Sequence, residues 1–193
     1  HIGIAATSNI IQSHPFNFAR QLSSLDHFSE GRVAWNIVTS YLTNGFHNYG
    51  HREIVGHDER YEWAQEYLDV VYKLWEHSWE DGARVNDRAA GTLFDPARIH
   101  RIDHEGPRYS VAGPFIVEPS PQRTPVLFQA GNSTAGREFA VRNAEVTFLP
   151  PPPPGSARRE VDRLDSLARA RGLEPHNPKK KVQLPPLIGP PQE

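Results

Sequence analysis

The apolar positions along this chain fall into short runs and helical stripes that alternate. Residues 2–8 form an apolar run closing on Thr7-Ser8-Asn9, the pattern of a parallel strand buried on both faces. A helix follows, with Pro15 in its first turn, Ala19, Leu22 and Leu25 as its inner stripe and Gly31 past its end. Residues 32–40 are rich in β-branched side chains and end in polar ones, which predicts a second strand. The Asn-, Gly- and His-rich stretch 41–57 reads as a loop. Asp58 is placed to cap a helix running to Trp79, with Tyr61, Ala64, Leu68, Val71 and Trp75 at helical spacing. Residues 80–121 read as irregular except for a hairpin in which 99–103 turns through 104–107 into 108–111. Regular alternation then resumes with a strand at 125–131, a helix from Ser133 carrying Phe139, Ala140 and Ala144, and a strand at 145–149. A proline run at 150–154 leads to a helix over 156–171, with Val161, Leu164 and Leu167 inward. A last strand position at 182–188 is interrupted by Pro185-Pro186, which argues against a central strand.

Strands alternating with helices predict an α/β fold, a parallel sheet with helices outside it, either doubly wound or a (β/α)8 barrel. Five strands do not close a barrel of eight. The expectation is one incomplete domain over 1–193, with an insertion region at 41–121 that carries the helix 58–79, and a tail at 150–193. The absence of methionine and the opening directly on a core-type strand suggest an interior piece of a longer chain.

Composition narrows the function. A formal net charge of -2 gives no electrostatic footprint for nucleic acid or an anionic membrane, and no apolar run reaches transmembrane length. Zero cysteines exclude disulfides, iron–sulfur clusters and thiolate zinc sites, and fit a reducing, cytoplasmic compartment.

The segment from Gln129 to Phe139 carries the sharpest chemistry. A strand end enters the glycine turn Gly131-Asn132, a hydroxyl cap at Ser133 and a helix start with Arg137, so backbone N–H groups, the helix dipole and a cation can converge on an anion. The same residues also suit an ordinary N-cap. Three strands end in small polar residues, at Thr7-Ser8, at Asn36 through Ser40 and from Gln129 onward. Strand ends of an α/β barrel lie on one rim, where a heteroaromatic ring and a polyol tail can be hydrogen-bonded. His47 with His51, and His100 with His104, have metal-like spacing, but in loop or hairpin sequence that spacing puts no two rings on one face, so no metal is expected. His57 lies just before the Asp58 cap. The four tryptophans read as packing.

Long motifs carry a family resemblance. They are His14-Pro15-Phe16-Asn17-Phe18-Ala19-Arg20, Leu25 through Ser40, His57-Asp58-Glu59-Arg60-Tyr61, Glu118 through Gly131 and Gly136-Arg137-Glu138-Phe139-Ala140. In this order they resemble the bacterial-luciferase superfamily, in the branch of nitrilotriacetate, dibenzothiophene-sulfone and long-chain-alkane monooxygenases. The resemblance implies a (β/α)8 barrel of which strands three to seven are here, binding reduced FMN and using O2. It further implies a separate NAD(P)H:flavin reductase, a small organic substrate and a homo-oligomer in the full-length form. On this mapping Thr7 lies near the flavin ring, Asn36 and Ser40 near the ring or ribityl chain, and His57 and Tyr61 reach the flavin from the insertion. Gly131, Asn132 and Ser133 hold the phosphate, with Arg137 as a lesser candidate. The family's substrate-side acidic and histidine residues fall outside this chain, and Tyr41 stands where the alkane-oxidising branch has a histidine. Two other readings are a truncated remnant that associates through open sheet edges and a deazaflavin-dependent oxidoreductase. Ser40, Tyr61 and Ser133 speak against the latter.

Overall fold

The computed structural model describes residues 2–148, 157–173 and 181–183. The elements in chain order are strand β1 (Ile4–Asn9), helix α1 (Pro15–Ser29), strand β2 (Val33–Val38), helix α2 (Thr43–Asn48) and helix α3 (His57–Tyr72), which runs on into a π-helical turn, Lys73–His77. Strands β3 (Arg84–Asp87) and β4 (Thr92–Phe94) pair with each other, as do β5 (His104–Glu105) and β6 (Ser110–Val111). Strand β7 (Val126–Gln129), helix α4 (Thr134–Asn143), strand β8 (Val146–Phe148), helix α5 (Ala157–Ala170) and strand β9 (Lys181–Gln183) complete the order. The sheet is parallel throughout, in the order β1-β2-β7-β8-β9. Successive strands are therefore neighbours, and β2 pairs directly with β7 across the whole insertion.

Helix α1 shows why these boundaries hold. Pro15 occupies its first turn, and His14 caps it, Nδ1 accepting from the Phe16 N–H at 3.3 Å. At the other end Glu30 (φ 55°) and Gly31 (φ 78°) turn left-handed, and the Gly31 N–H returns to the Asp26 carbonyl at 3.0 Å. Its buried face is Phe18, Ala19, Leu22, Ser23 and Asp26. Leu25, expected inside, is 50% exposed, because the stripe facing the sheet runs one position ahead of it.

His14 makes α1 acid-sensitive. Burial lowers its pKa from the ordinary 6.5, and a protonated Nδ1 cannot accept the capping bond. The folded state therefore disfavours the charged ring. The penalty is absent above the unfolded value and complete below the depressed folded one, so stability falls as pH falls through that window. Lowering pH from about 7.5 to about 5 should reduce the melting temperature of the parent more than that of His14→Asn, whose side chain caps without titrating. A difference between the two that stays constant across this range would free His14 of the role.

The main core lies between α1, α3 and the inner face of β2 and β7. Trp35, 1% exposed, packs on Phe18 with centroids at 4.4 Å and on Tyr67 at 5.9 Å, and its Nε1 donates to the Ser8 carbonyl at 3.0 Å. The other three tryptophans are buried and also donate, Trp63 to the Tyr109 hydroxyl, Trp75 to the Ala19 carbonyl and Trp79 to the Phe115 carbonyl. Val141, Leu164 and Ala168 form a smaller core between α4 and α5.

Buried polar groups staple the insertion at its base. The Asp26 carboxylate, fully buried, accepts the Gln122 backbone N–H at 2.9 Å and its Nε2 at 2.5 Å, and the same Nε2 reaches the Val33 carbonyl at 2.8 Å. Arg123 donates to the Trp79 carbonyl at 2.9 Å and pairs with Asp81 at 2.7 Å. Farther out, the turn between β5 and β6 is clamped on α3. The Glu66 carboxylate accepts the N–H groups of Arg108 at 3.0 and 3.1 Å and of Tyr109 at 2.8 Å. The Arg108 guanidinium stacks 4.7 Å from the Trp63 ring. His104, 6% exposed, lies between Glu66 (3.4 Å) and Lys73 (3.2 Å).

Several expectations need correction. Residues 4–7 of β1 are exposed, with Ile4 at 61%: on its outer side no strand among the described residues pairs with β1, so it is a sheet edge and is not buried on both faces. The stretch 41–57 is not all loop, since α2 forms within it and buries Phe46. Asp58 does not cap α3: the N-cap is Gly56, His57 is the first helical residue, and the Asp58 carboxylate pairs with His57 Nδ1 at 2.6 Å. The regular α-helix stops at Tyr72, short of Trp79, giving way to the π-helical turn. The hairpin arms are 104–105 and 110–111; Ile99 instead bridges to Trp79. The β3–β4 ribbon was not foreseen. The proline run 150–154 and Pro185-Pro186 lie outside the described residues.

Candidate functional site

In a parallel sheet the C-terminal strand ends share one rim, and Thr7, Asn36 and the turn of Gly131, Asn132 and Ser133 lie at that end, while His57 and Tyr61 come from α3. Thr7 of β1 faces Asn36 of β2 in register, and Asn36 faces Phe128 of β7. Asn36 Nδ2 donates to Thr7 Oγ1 at 3.0 Å. Its Oδ1 is buried and has no hydrogen-bond partner among the described residues. An unmatched buried carbonyl oxygen costs about 1–3 kcal/mol, so this atom is in place for a donor from outside the chain. Two residues past β2, Ser40 adopts φ 61°, a left-handed conformation that non-glycine residues hold only where the surroundings impose it.

The second group gathers around the end of β7. Ser133 is the N-cap of α4, its Oγ accepting the Gly136 N–H at 3.0 Å. The hydroxyl proton stays available to a ligand, as do the amides of Thr134 and Ala135, which have no intrahelical acceptor. Asn132 is exposed beside them. The Gly131 N–H donates to Gln129 Oε1 at 2.5 Å, so Gly131 contributes room to the turn and its amide is engaged. His57 and Tyr61, one helical turn apart on α3, pack edge to face with centroids 5.3 Å apart, and Tyr61 continues onto Phe139 at 5.7 Å. The Tyr61 hydroxyl lies against the β7–α4 turn: a Cβ built on Gly131 would be 2.5 Å from it.

The structure thus unites Thr7 with Asn36, and His57 and Tyr61 with Gly131 and the cap Ser133. It takes Arg137 elsewhere, into an ion pair with Glu160 of α5 at 2.5 Å. His100 pairs with Glu80, and His104 with Glu66 and Lys73, so neither joins the rim. Sequence reasoning passed over Gly136, whose contacts emerge only when α3 is laid across the turn, and over the acceptor role of Gln129. A glutamine two residues before a turn glycine is the one signal that could have found the latter.

The strand ends of this parallel α/β sheet thus carry a capped glycine turn and an unmatched buried amide oxygen, the features of a candidate ligand site at the C-terminal rim. The chain belongs to the luciferase-like monooxygenase family, whose model matches residues 2–193. It is 43% identical over 189 residues to the long-chain alkane monooxygenase of Geobacillus thermodenitrificans (strain NG80-2), covering 98% of this chain and 43% of that protein. A crystal structure of long-chain alkane monooxygenase superposes with a TM-score of 0.90 at 44% identity, over 95% of this chain and 42% of that one. The crystal structure of a riboflavin lyase with modified FMN and riboflavin superposes with a TM-score of 0.87 at 39% identity, over 94% of this chain and 40% of the other. The chain spans about two fifths of the length of these relatives. No helix among the described residues is long and apolar enough to cross a membrane.

Proposed function

We propose that this chain is part of a monooxygenase that uses reduced FMN and O2, and that its sheet is a partial (β/α)8 barrel, about strands three to seven. The observation that carries the reading is the family match over residues 2–193. The unpartnered Asn36 Oδ1 and the Ser133 cap at the start of α4 support the reading. Asn36 and Thr7 would hold the ring side, with Ser40 toward the ribityl chain. Ser133, Asn132 and the first amides of α4 would hold the phosphate, Gly131 letting the turn pass under the Tyr61 hydroxyl, and His57 and Tyr61 would close over it from α3. Bound reduced flavin supplies the activation of O2; the residues bind it, orient it and exclude water from its ring. A separate NAD(P)H:flavin reductase would deliver it, a small organic substrate would sit beside it, and the full-length form would be a cytoplasmic homo-oligomer. The test is oxygen uptake with photoreduced FMN and a panel of alkanes, sulfides and sulfones, followed by product analysis. Hydroxylated or sulfoxidised product from the full-length parent supports the reading, and peroxide alone from it counts against it. The 193-residue chain by itself is expected to release only hydrogen peroxide, and coupled product from it would overturn that expectation.

The exposed edge at β1, with Ile2 at 74% and Ile4 at 61%, favours a second reading in which the 193-residue chain alone is a non-catalytic remnant that associates through that edge. Light scattering on the eluting protein separates the two, since a monodisperse monomer that binds FMN leaves the remnant reading without support.

Ser133 gives the sharpest check on the phosphate. Loss of a hydrogen bond to a charged group costs about 1.5–3 kcal/mol, so Ser133→Ala should weaken FMN binding at least about tenfold. Ser133→Asp separates capping from phosphate contact: aspartate caps as well as serine but repels a phosphate. It should keep the melting temperature and lose FMN more completely than alanine. Equal FMN dissociation constants for the parent and both variants would remove Ser133 from the site.

A further inference from the structure

Gly136 sits in the first turns of α4, where alanine forms helix better than glycine. Its surroundings leave no room for one. A Cβ at Gly136 would lie 2.8 Å from the Tyr61 hydroxyl, 2.9 Å from Gly131 Cα and 3.0 Å from the Gly131 carbonyl carbon. The relation is mutual, since a Cβ at Gly131 would lie 2.9 Å from Gly136 Cα and 2.5 Å from the same hydroxyl. The two glycines therefore bring the end of β7 and the start of α4 backbone to backbone, and one tyrosine hydroxyl from α3 covers both. The Gly136 N–H also donates to the Ser133 Oγ at 3.0 Å, which ties the direction of the cap to this contact.

We infer that Gly136 is a positioning residue for the phosphate of the flavin: its contact with Gly131 and Tyr61 fixes the direction of the Ser133 hydroxyl and of the first α4 amides. This rests on the flavin reading given above. A methyl group at 136 cannot be accommodated by turning a side chain, because two of its three neighbours are backbone atoms. The first turn of α4 must move away from β7, and the donors move with it. The Thr7–Asn36 pair, on other strands, stays where it is.

Comparing FMN with riboflavin isolates the phosphate. Equilibrium fluorescence titration of the oxidised flavins gives both dissociation constants without any turnover. Gly136→Ala should weaken FMN binding by about tenfold or more and riboflavin binding by about twofold or less, so the preference for FMN collapses. Tyr61→Phe removes one of the three obstructions, so adding Gly136→Ala to Tyr61→Phe should cost less of the FMN preference than adding it to the parent. If the parent prefers FMN and Gly136→Ala keeps the full preference, the inference is wrong although the flavin site stands. If the parent does not distinguish FMN from riboflavin, the phosphate assignment itself fails and this inference with it. Should Gly136→Ala not fold, the double variant is read in its place; if neither folds, the glycine serves the fold and not the phosphate, which also overturns the inference.

Discussion

Replacing Glu66 by alanine should cost about 3–5 kcal/mol of folding free energy, the range for removing one partner of a buried charged network. The carboxylate is 8% exposed and accepts two consecutive backbone N–H groups, from Arg108 and Tyr109. Without it both N–H groups lose their acceptor, at about 1–3 kcal/mol each where water does not reach them. The Tyr109 ring does not compensate: burial pushes its hydroxyl pKa up, so it remains a neutral phenol whose oxygen receives the Trp63 N–H at 2.6 Å. In a chain of this size the melting temperature should drop by roughly 10 °C. Limited proteolysis should meanwhile open the 104–111 hairpin first, since that is what the carboxylate holds down. Glu66→Gln keeps one acceptor oxygen and should fall between the two. A loss under about 1 kcal/mol for the alanine variant would mean that solvent satisfies the turn and that the clamp is decorative.

Trp35→Ala should cost about 3–5 kcal/mol as well, by a different route. The indole is 1% exposed against Phe18 and Tyr67, and its removal leaves a cavity between two helices and the sheet. The variant should also lose flavin. Trp35 Nε1 holds the Ser8 carbonyl of β1, one residue beyond Thr7, so the Thr7–Asn36 pair loses the tie that keeps the edge strand in place. Trp35→Phe retains most of the packing and gives up only the N–H bond, at about 1 kcal/mol. Urea unfolding paired with FMN titration reads both effects. Normal FMN affinity in a destabilised alanine variant would show that the rim is held from elsewhere.

Much of the sheet was legible because its strands are apolar runs ending in polar residues and its helices carry helical stripes; β2, α1, α4 and β7 fall within a residue or two of their expected places. The burial of β1 was not legible. Ile2 and Ile4 look like core residues, and only the partnerless outer side of the strand makes them surface. Nor did local sequence give the end of α3, where the apolar spacing through Trp75 continues although the hydrogen bonding changes to a π-helical turn. At the site, Ser133 could be read as a cap from its neighbours alone. The clamp at Glu66 could not, because its partners lie 42 and 43 residues away in an irregular stretch. Arg137 shows the opposite failure: position in the first turns suggested an anion, but Glu160 of the next helix takes the guanidinium.

The staples at Asp26, Gln122 and Arg123 have a consequence for how such a chain can vary. The segment that leaves β2 at Val38 returns to β7 at Val126, immediately beside it, and its returning end is pinned by Gln122 on Asp26 and Val33 and by Arg123 on Trp79. Helix α3 belongs to the core, so the exchangeable part is the exposed β3–β4 ribbon, closed at its base by the Asp95 N–H on the Ala83 carbonyl at 2.8 Å. Its length enters the stability only logarithmically, each doubling adding about 0.6 kcal/mol of closure entropy. A ribbon of different length and side chains between Ala83 and Asp95 should therefore leave the β2–β7 register and the Thr7–Asn36 pair unchanged.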